Sequence, residues 1–163
     1  MSLASLQQKN TVWSSPQEET GLSADQLPTE QLWLREFNDI SDELNWGKWQ
    51  EFWADDAFFV FGHKVRIEGK QDLDQHFNQY NKMFEASKHD ITRHSFDPVR
   101  GLIYQTANVT SVIRGDPEAK SIVTPVMMII HKKPGEAELR GLEIYGDFSQ
   151  VEDKIKEVMA KGA

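Results

Sequence analysis

The chain has 163 residues, the size of one globular domain, and its 39% hydrophobic and 10% aromatic content is enough for a packed interior. Its 18 basic residues against 26 acidic ones leave a net charge of −8, which argues against a nucleic-acid partner. The longest apolar runs, Ala57 to Phe61 and Val126 to Ile130, are far too short to span a bilayer, and there is no cysteine for a disulfide, a thiolate nucleophile or a zinc ribbon. The first thirty residues lack a basic start followed by an apolar block, so no secretory signal and no membrane partner are expected. A cysteine-free chain fits a reducing, cytoplasmic compartment.

Residues 1–27 are polar and aperiodic and read as a loosely held arm, with Val12, Trp13 and Leu22 as anchor points. A single domain is expected over 28–163. Pro28 and Thr29 look like a helix start with Thr29 as N-cap, and Leu32, Trp33, Phe37, Ile40 and Leu44 follow helical spacing. A short second helix, Lys48 to Trp53, precedes a hairpin of Ala57 to Phe61 and Val65 to Glu68. A third helix follows from Gln71 to Ala86, its buried face made of Leu73, Phe77, Tyr80 and Phe84.

Strands are expected near Ile91 to Phe96, Val99 to Arg114, Ser121 to Lys132 and Glu138 to Phe148. Turns at Gly101, Gly115-Asp116-Pro117 and Pro134-Gly135 divide them. Pro125 interrupts a strand that should be central and predicts a bulge or bend there. Ser149-x-x-Glu152 opens a last helix with a capping-box pattern. Helices first and long antiparallel strands after them give an α+β fold: a curved sheet cupped against three N-terminal helices, enclosing a pocket.

Several phrases in this order resemble the nuclear transport factor 2-like superfamily. Trp46-Gly47-Lys48-Trp49-Gln50-Glu51-Phe52-Trp53-Ala54-Asp55-Asp56-Ala57 resembles its W…W…F-A-D-D-A signature, and Gly69-Lys70 its helix start. Thr92-Arg93-His94 resembles the T-R-H strand of SnoaL-like members, and Ile144-Tyr145-Gly146-Asp147-Phe148 the final strand. Together these cover about residues 29 to 151. The resemblance implies a cone-shaped α+β barrel, commonly a homodimer through the outer sheet face, with a deep pocket. Ketosteroid isomerases, polyketide cyclases, scytalone dehydratases, epoxide hydrolases and noncatalytic binding proteins all share it.

Carried over by position, the ketosteroid isomerase machinery is missing: its acid and base positions fall on Phe37, Phe61 and near Met127, none of which moves a proton. Scytalone dehydratase fits in part. Its strand histidine falls on His94 and its helix aspartate on Asp42, while its tyrosines fall on Ser41 and Phe61. The resemblance therefore implies His94 as general base or acid with Asp42 orienting it, in a pocket lined by Phe37, Ser41, Phe61, Met127, Tyr80 and Trp33. Imidazole suits the role because it titrates near neutrality.

Each candidate has a structural alternative. His94 could simply be a hydrogen-bonded strand residue, and Asp42 a solvated helix carboxylate beside Glu43. His63 is read in a turn, His76 off its helix's apolar stripe, His89 in a polar loop and His131 at the pocket mouth. The spacing of His89, Asp90 and His94 fits no standard metal site, so neither metal nor cofactor is expected. Asp55 and Asp56 read as turn carboxylates, and Asp147 as a pocket residue or a cap of the last helix. The function expected is that of a small hydrophobic-molecule pocket: a cofactor-free dehydratase, isomerase or cyclase on a polyketide- or terpenoid-like substrate. The alternative is a noncatalytic ligand-binding or protein-interaction module of the same fold.

Overall fold

The computed structural model describes residues 13–14, 17–62, 64 and 66–162. In chain order they form β1 (Trp13–Ser14), α1 (Gln17–Thr20), α2 (Gln26–Asp42) and α3 (Trp46–Trp49), which runs into a 3-10 turn (Gln50–Phe52). Then come β2 (Trp53–Phe61), β3 (Ile67–Glu68), α4 (Lys70–Asn81), β4 (Phe84–Asp97), β5 (Leu102–Ile113), β6 (Ser121–His131), β7 (Leu139–Gly146) and α5 (Ser149–Lys161). One sheet orders the strands β1-β4-β5-β6-β7-β2-β3. It is antiparallel except where β2 joins β7 and β1 joins β4. This is the α+β cone expected from the sequence, a curved sheet wrapped around α2, α3 and α4.

The element ends differ from the sequence reading for identifiable reasons. Helix α2 begins before Pro28, because a proline in the first turn has no helical N–H partner to lose. The turn ahead of it is closed reciprocally: Ser23 N–H donates to Gln26 Oε1 at 3.0 Å and Gln26 N–H to Ser23 Oγ at 3.2 Å. Thr29 lies inside the helix, its hydroxyl donating to the Asp25 carbonyl. The expected box at Ser149 and Glu152 does not form, and Asp147 Oδ1 accepts the Ser149 N–H at 3.0 Å instead.

Helix α4 stops at Asn81 rather than Ala86, since Phe84 buries against Ile113, Ile122 and Val151 and pairs into the sheet opposite Ile113. Of the arm expected over 1–27, Val12 lies outside the described residues. Trp13–Ser14 pair with Arg93 and His94 of β4, and Thr20 and Leu22 are buried.

The interior is aromatic. Phe37, Trp46, Trp49, Trp53, Phe59 and Phe77 share one buried cluster with Leu34, Leu73, Ile130 and Leu142. Trp46 stacks on Phe77 at 4.7 Å between centroids, and Trp49 meets Trp53 edge-on at 5.1 Å. The indole N–H groups of Trp46, Trp49 and Trp53 are buried without a hydrogen-bond partner among the described residues. The three indoles pack edge-on against one another, at 5.1 to 6.0 Å between centroids.

Strand β5 alternates strictly, sending Ile103, Gln105, Ala107, Val109, Ser111 and Ile113 inward. Strand β6 does the same with Ile122, Thr124, Val126, Met128 and Ile130. Pro125 causes no register shift against β5. The β6–β7 ladder begins only at Val126, so the proline sits where pairing on that side has ended, and the expected bulge is absent. The bulges lie in β2, between Trp53 and Phe58, and in β4, near Phe84 and at Thr92. Thr92 is the extra residue between Ile91 and Arg93, and its hydroxyl donates to the Thr106 carbonyl at 3.1 Å.

Candidate functional site

A cavity of about 90 Å³ lies between α2, α4 and α5 and the inner face of the sheet. That volume holds several waters or a small planar group without any ring moving. Most of its wall is apolar: Phe37 from α2, Phe59 and Phe61 from β2, Phe77 from α4, Val126 and Met128 from β6, Leu142 and Ile144 from β7. Phe61 and Phe148 pack at 4.3 Å between centroids on the α5 side.

The histidine of the wall is His89, and its ring bonds Asp42. Asp42 is the last residue of α2 and His89 points inward from β4, opposite Val109. Asp42 Oδ1 lies 2.6 Å from His89 Nδ1. The His89 backbone N–H also donates to both carboxylate oxygens, at 3.1 and 3.2 Å. Ring and backbone are thus held by one carboxylate, which fixes the imidazole plane. An ionised Asp42 requires the proton on Nδ1 and leaves the Nε2 lone pair free to accept one.

The pairing expected from the sequence, Asp42 with His94, does not occur. His94 is also on the inner face, opposite Gln105, but lies outside the cavity lining. It is 8% exposed, its Nε2 meets no partner among the described residues, and burial lowers its pKa below 6.5. The sequence reading places His89 in a polar loop, whereas the strand begins seven residues earlier than expected and carries it.

Two inward histidines five residues apart contradict plain alternation, which would put them on opposite faces. The Thr92 bulge supplies the extra residue that lets both point in. The sequence reading, which starts this strand at Ile91, gives no signal for His89 or for the bulge that turns both histidines inward.

Of the other expected lining residues, Phe37, Ser41, Phe61 and Tyr80 border the cavity. Trp33 does not; it stacks on Phe37 at 5.0 Å and donates its indole N–H to the Ala137 carbonyl at 2.7 Å. Met127 is 42% exposed on the outer face, and Met128 takes the inward place. One step of register separates the two.

His131 does not reach the pocket mouth. It faces outward and bonds Glu143 at 2.6 Å. Burial raises the Glu143 carboxyl pKa, but the hydrogen bonds from Tyr145 and His131 outweigh it and hold the group below its ordinary value. Asp55 and Asp56 are exposed strand residues, and Asp147 is the cap already described.

The polar wall has internal support. Asn38 donates to the Leu34 carbonyl at 2.8 Å and exchanges amide hydrogen bonds with Gln105 at 3.0 and 3.1 Å. Ser41 Oγ donates to the Asn38 carbonyl. The Tyr80 phenol is held protonated by burial and by the neighbouring Glu152 carboxylate, both raising its pKa. Among the described residues no three histidine or acidic side chains converge as a metal site needs, and no helix is long and apolar enough to cross a membrane.

No protein-family model and no curated protein matches the sequence. Solved structures do match. PrhC from Penicillium brasilianum NBRC 6234 is 13% identical with a TM-score of 0.68, over 85% of this chain and 91% of that one. A protein described as a SnoaL-like polyketide cyclase from Shewanella denitrificans OS-217 is 13% identical with a TM-score of 0.65, over 80% and 98%. SalBIII, described as an epoxide hydrolase/cyclase-like enzyme in pyran ring formation in polyether salinomycin, is 11% identical with a TM-score of 0.65, over 76% and 94%. At such identities the likeness speaks for architecture, and the chain has the SnoaL-like, nuclear transport factor 2-like fold.

Proposed function

We propose that the chain is a cofactor-free acid–base enzyme that dehydrates, isomerises or cyclises an apolar polyketide- or terpenoid-like molecule. His89 acts as the proton carrier and Asp42 as its orienting carboxylate. The observation that carries this reading is the 2.6 Å contact of Asp42 with His89, a histidine that lines an apolar cavity.

The chemistry follows from the pair. Nε2 of His89 takes a proton from a carbon or hydroxyl of the guest, and Asp42 stabilises the imidazolium that forms. The same nitrogen returns the proton, to a departing hydroxyl in a dehydration or to a second atom in an isomerisation. The apolar walls exclude water and strengthen both interactions. A carrier so placed contributes about 10²- to 10⁴-fold. His94, away from the cavity lining, has no part in this scheme.

The test is a substrate screen of β-hydroxy ketones and hydroxy-epoxides with the full chain, followed by His89→Ala on any substrate that turns over. Loss of turnover with binding retained supports the reading, and normal turnover in the variant overturns it. The rival, a noncatalytic binding module, is favoured by Phe37 and Phe61, which stand where the resemblance expects proton-moving groups. Binding without turnover across the screen would favour it.

The proposal includes a homodimer through the outer sheet face, where Val123, Met127 and Tyr145 are 57, 42 and 39% exposed. Sedimentation as a monomer at micromolar concentration would remove that part.

A further inference from the structure

The polar side chains of the cavity wall fall into two sets. Asn38, Ser41 and His89 are engaged by protein partners, His89 by Asp42. Tyr80 and Asn81 of α4 make no side-chain hydrogen bond to the described residues, and neither do Ser87 and Ser111, which form an opposed pair. Both line the cavity and face each other directly across β4 and β5, and neither hydroxyl has a hydrogen bond to any of the described residues. Ser111 is only 5% exposed. Neither oxygen is among the fully buried atoms left without a partner, so both hydroxyls open onto the cavity, where a ligand or water completes them.

Position gives the pair meaning. Directly opposed side chains on one sheet face have Cβ atoms about 4.5–5.5 Å apart, close enough for two hydroxyls to share one ligand oxygen. Ser87 precedes His89 by two residues on the same face of β4, about 6.6 Å along the strand. An oxygen held at the serines therefore places the neighbouring atoms of a small ring beside the imidazole. The facing wall, Val126 and Met128 from β6 with Leu142 and Ile144 from β7, offers no polar side chain.

We infer that Ser87 and Ser111 form an oxygen-reading subsite for a ligand with an apolar body and a hydroxyl or carbonyl oxygen on the edge that faces β4 and β5. This rests on the reading that the cavity admits an apolar guest. It adds the orientation of that guest and the residues that select it.

The experiment uses phenol and toluene, which differ by a hydroxyl for a methyl, titrated into the full chain at pH 7 and followed by the methyl NMR signals of Val126, Met128 and Leu142. The wild type is expected to bind phenol at least as tightly as toluene, although water solvates phenol better. Ser87→Ala/Ser111→Ala is expected to weaken phenol about tenfold while leaving toluene unchanged within about twofold. Each single variant, read separately, covers a double variant that does not fold.

A phenol-to-toluene ratio untouched by the serine substitutions overturns the subsite. So does a ratio that drops only in Tyr80→Phe, which moves the oxygen contact to α4. A wild type that binds neither probe overturns the apolar-pocket reading itself, a result distinct from the other two.

Discussion

Asp42 and His89, 47 positions apart in sequence, are joined twice: Oδ1 meets the ring Nδ1 at 2.6 Å, and the carboxylate accepts the His89 backbone N–H at 3.1 and 3.2 Å. The second contact anchors the strand to the C-terminal end of α2, so the carboxylate that meets the ring is itself held at the strand's backbone. This is how a fold holds an imidazole at fixed orientation from a distant element.

The first prediction concerns the tautomer. With Asp42 ionised, His89 carries its proton on Nδ1, and nitrogen-15 shifts of the imidazole read this directly. Asp42→Asn should abolish that bias and lower stability by about 1–3 kcal/mol, since a ring and a backbone donor lose a charged acceptor together. An Nε2-protonated ring in the wild type would remove the base that the proposed chemistry needs.

The second concerns acid sensitivity. Burial lowers the pKa of His94 below 6.5, so the unfolded chain takes up a proton at a higher pH than the folded one. Below about pH 6.5 the unfolded state binds more protons, and stability must fall as pH falls until the folded group titrates. His76, lowered by burial and then by Lys64, adds a slope of the same sign. Urea midpoints between pH 7.5 and 5 should decline, and His94→Gln should make the decline shallower while His76 keeps part of it. An unchanged slope in that variant would mean His94 is not shielded.

The fold was readable because its periodicities are strong. Leu73 and Phe77 mark one helix face, and β5 and β6 alternate without exception across the residues that build the wall. The site was half readable. Phe37, Ser41, Phe61 and Tyr80 border the cavity as expected, and Asp42 holds a histidine as expected, though a different one. The misses on the strands share one cause: a strand's facing is fixed by register, which one residue reverses. Met127 and Met128 are chemically equal in sequence, and only pairing with β5 decides which points in. The Thr92 bulge rests on a hydroxyl-to-carbonyl bond with a neighbouring strand, a contact that no local pattern announces.

The third prediction tests a close approach on the outer face. Gly141 of β7 lies beside Phe58 of β2, and a Cβ on it would run into the Phe58 ring. That ring is fixed: it meets His131 at 4.8 Å and the Arg66 guanidinium at 3.6 Å from its centroid. Gly141→Ala should therefore cost about 1–3 kcal/mol, the usual penalty for overpacking. Adding Phe58→Leu should recover most of it, and a double-mutant cycle by urea unfolding would show the coupling. Additive costs would mean the ring is not what excludes a side chain at Gly141.

The fourth concerns Glu30 and Lys132, which close the end of the cone near the β6–β7 turn. Lys132 Nζ lies 2.6 Å from Glu30 Oε2, with side chains only 1% and 3% exposed. The other Glu30 oxygen accepts the Gly135 N–H at 2.8 Å, and the ammonium sits 4.8 Å from the centre of the Trp33 ring. Two charges so far from water are tolerable only together, because each is the other's replacement for hydration. Glu30→Leu or Lys132→Met alone should cost about 3–5 kcal/mol by stranding the partner. The double variant should recover most of that loss, since its apolar pair leaves no buried charge. Thermal unfolding of the three variants decides the matter: single losses under about 1 kcal/mol would place the pair in water, and a double variant as weak as the sum of the singles would mean the helix depends on the charges themselves.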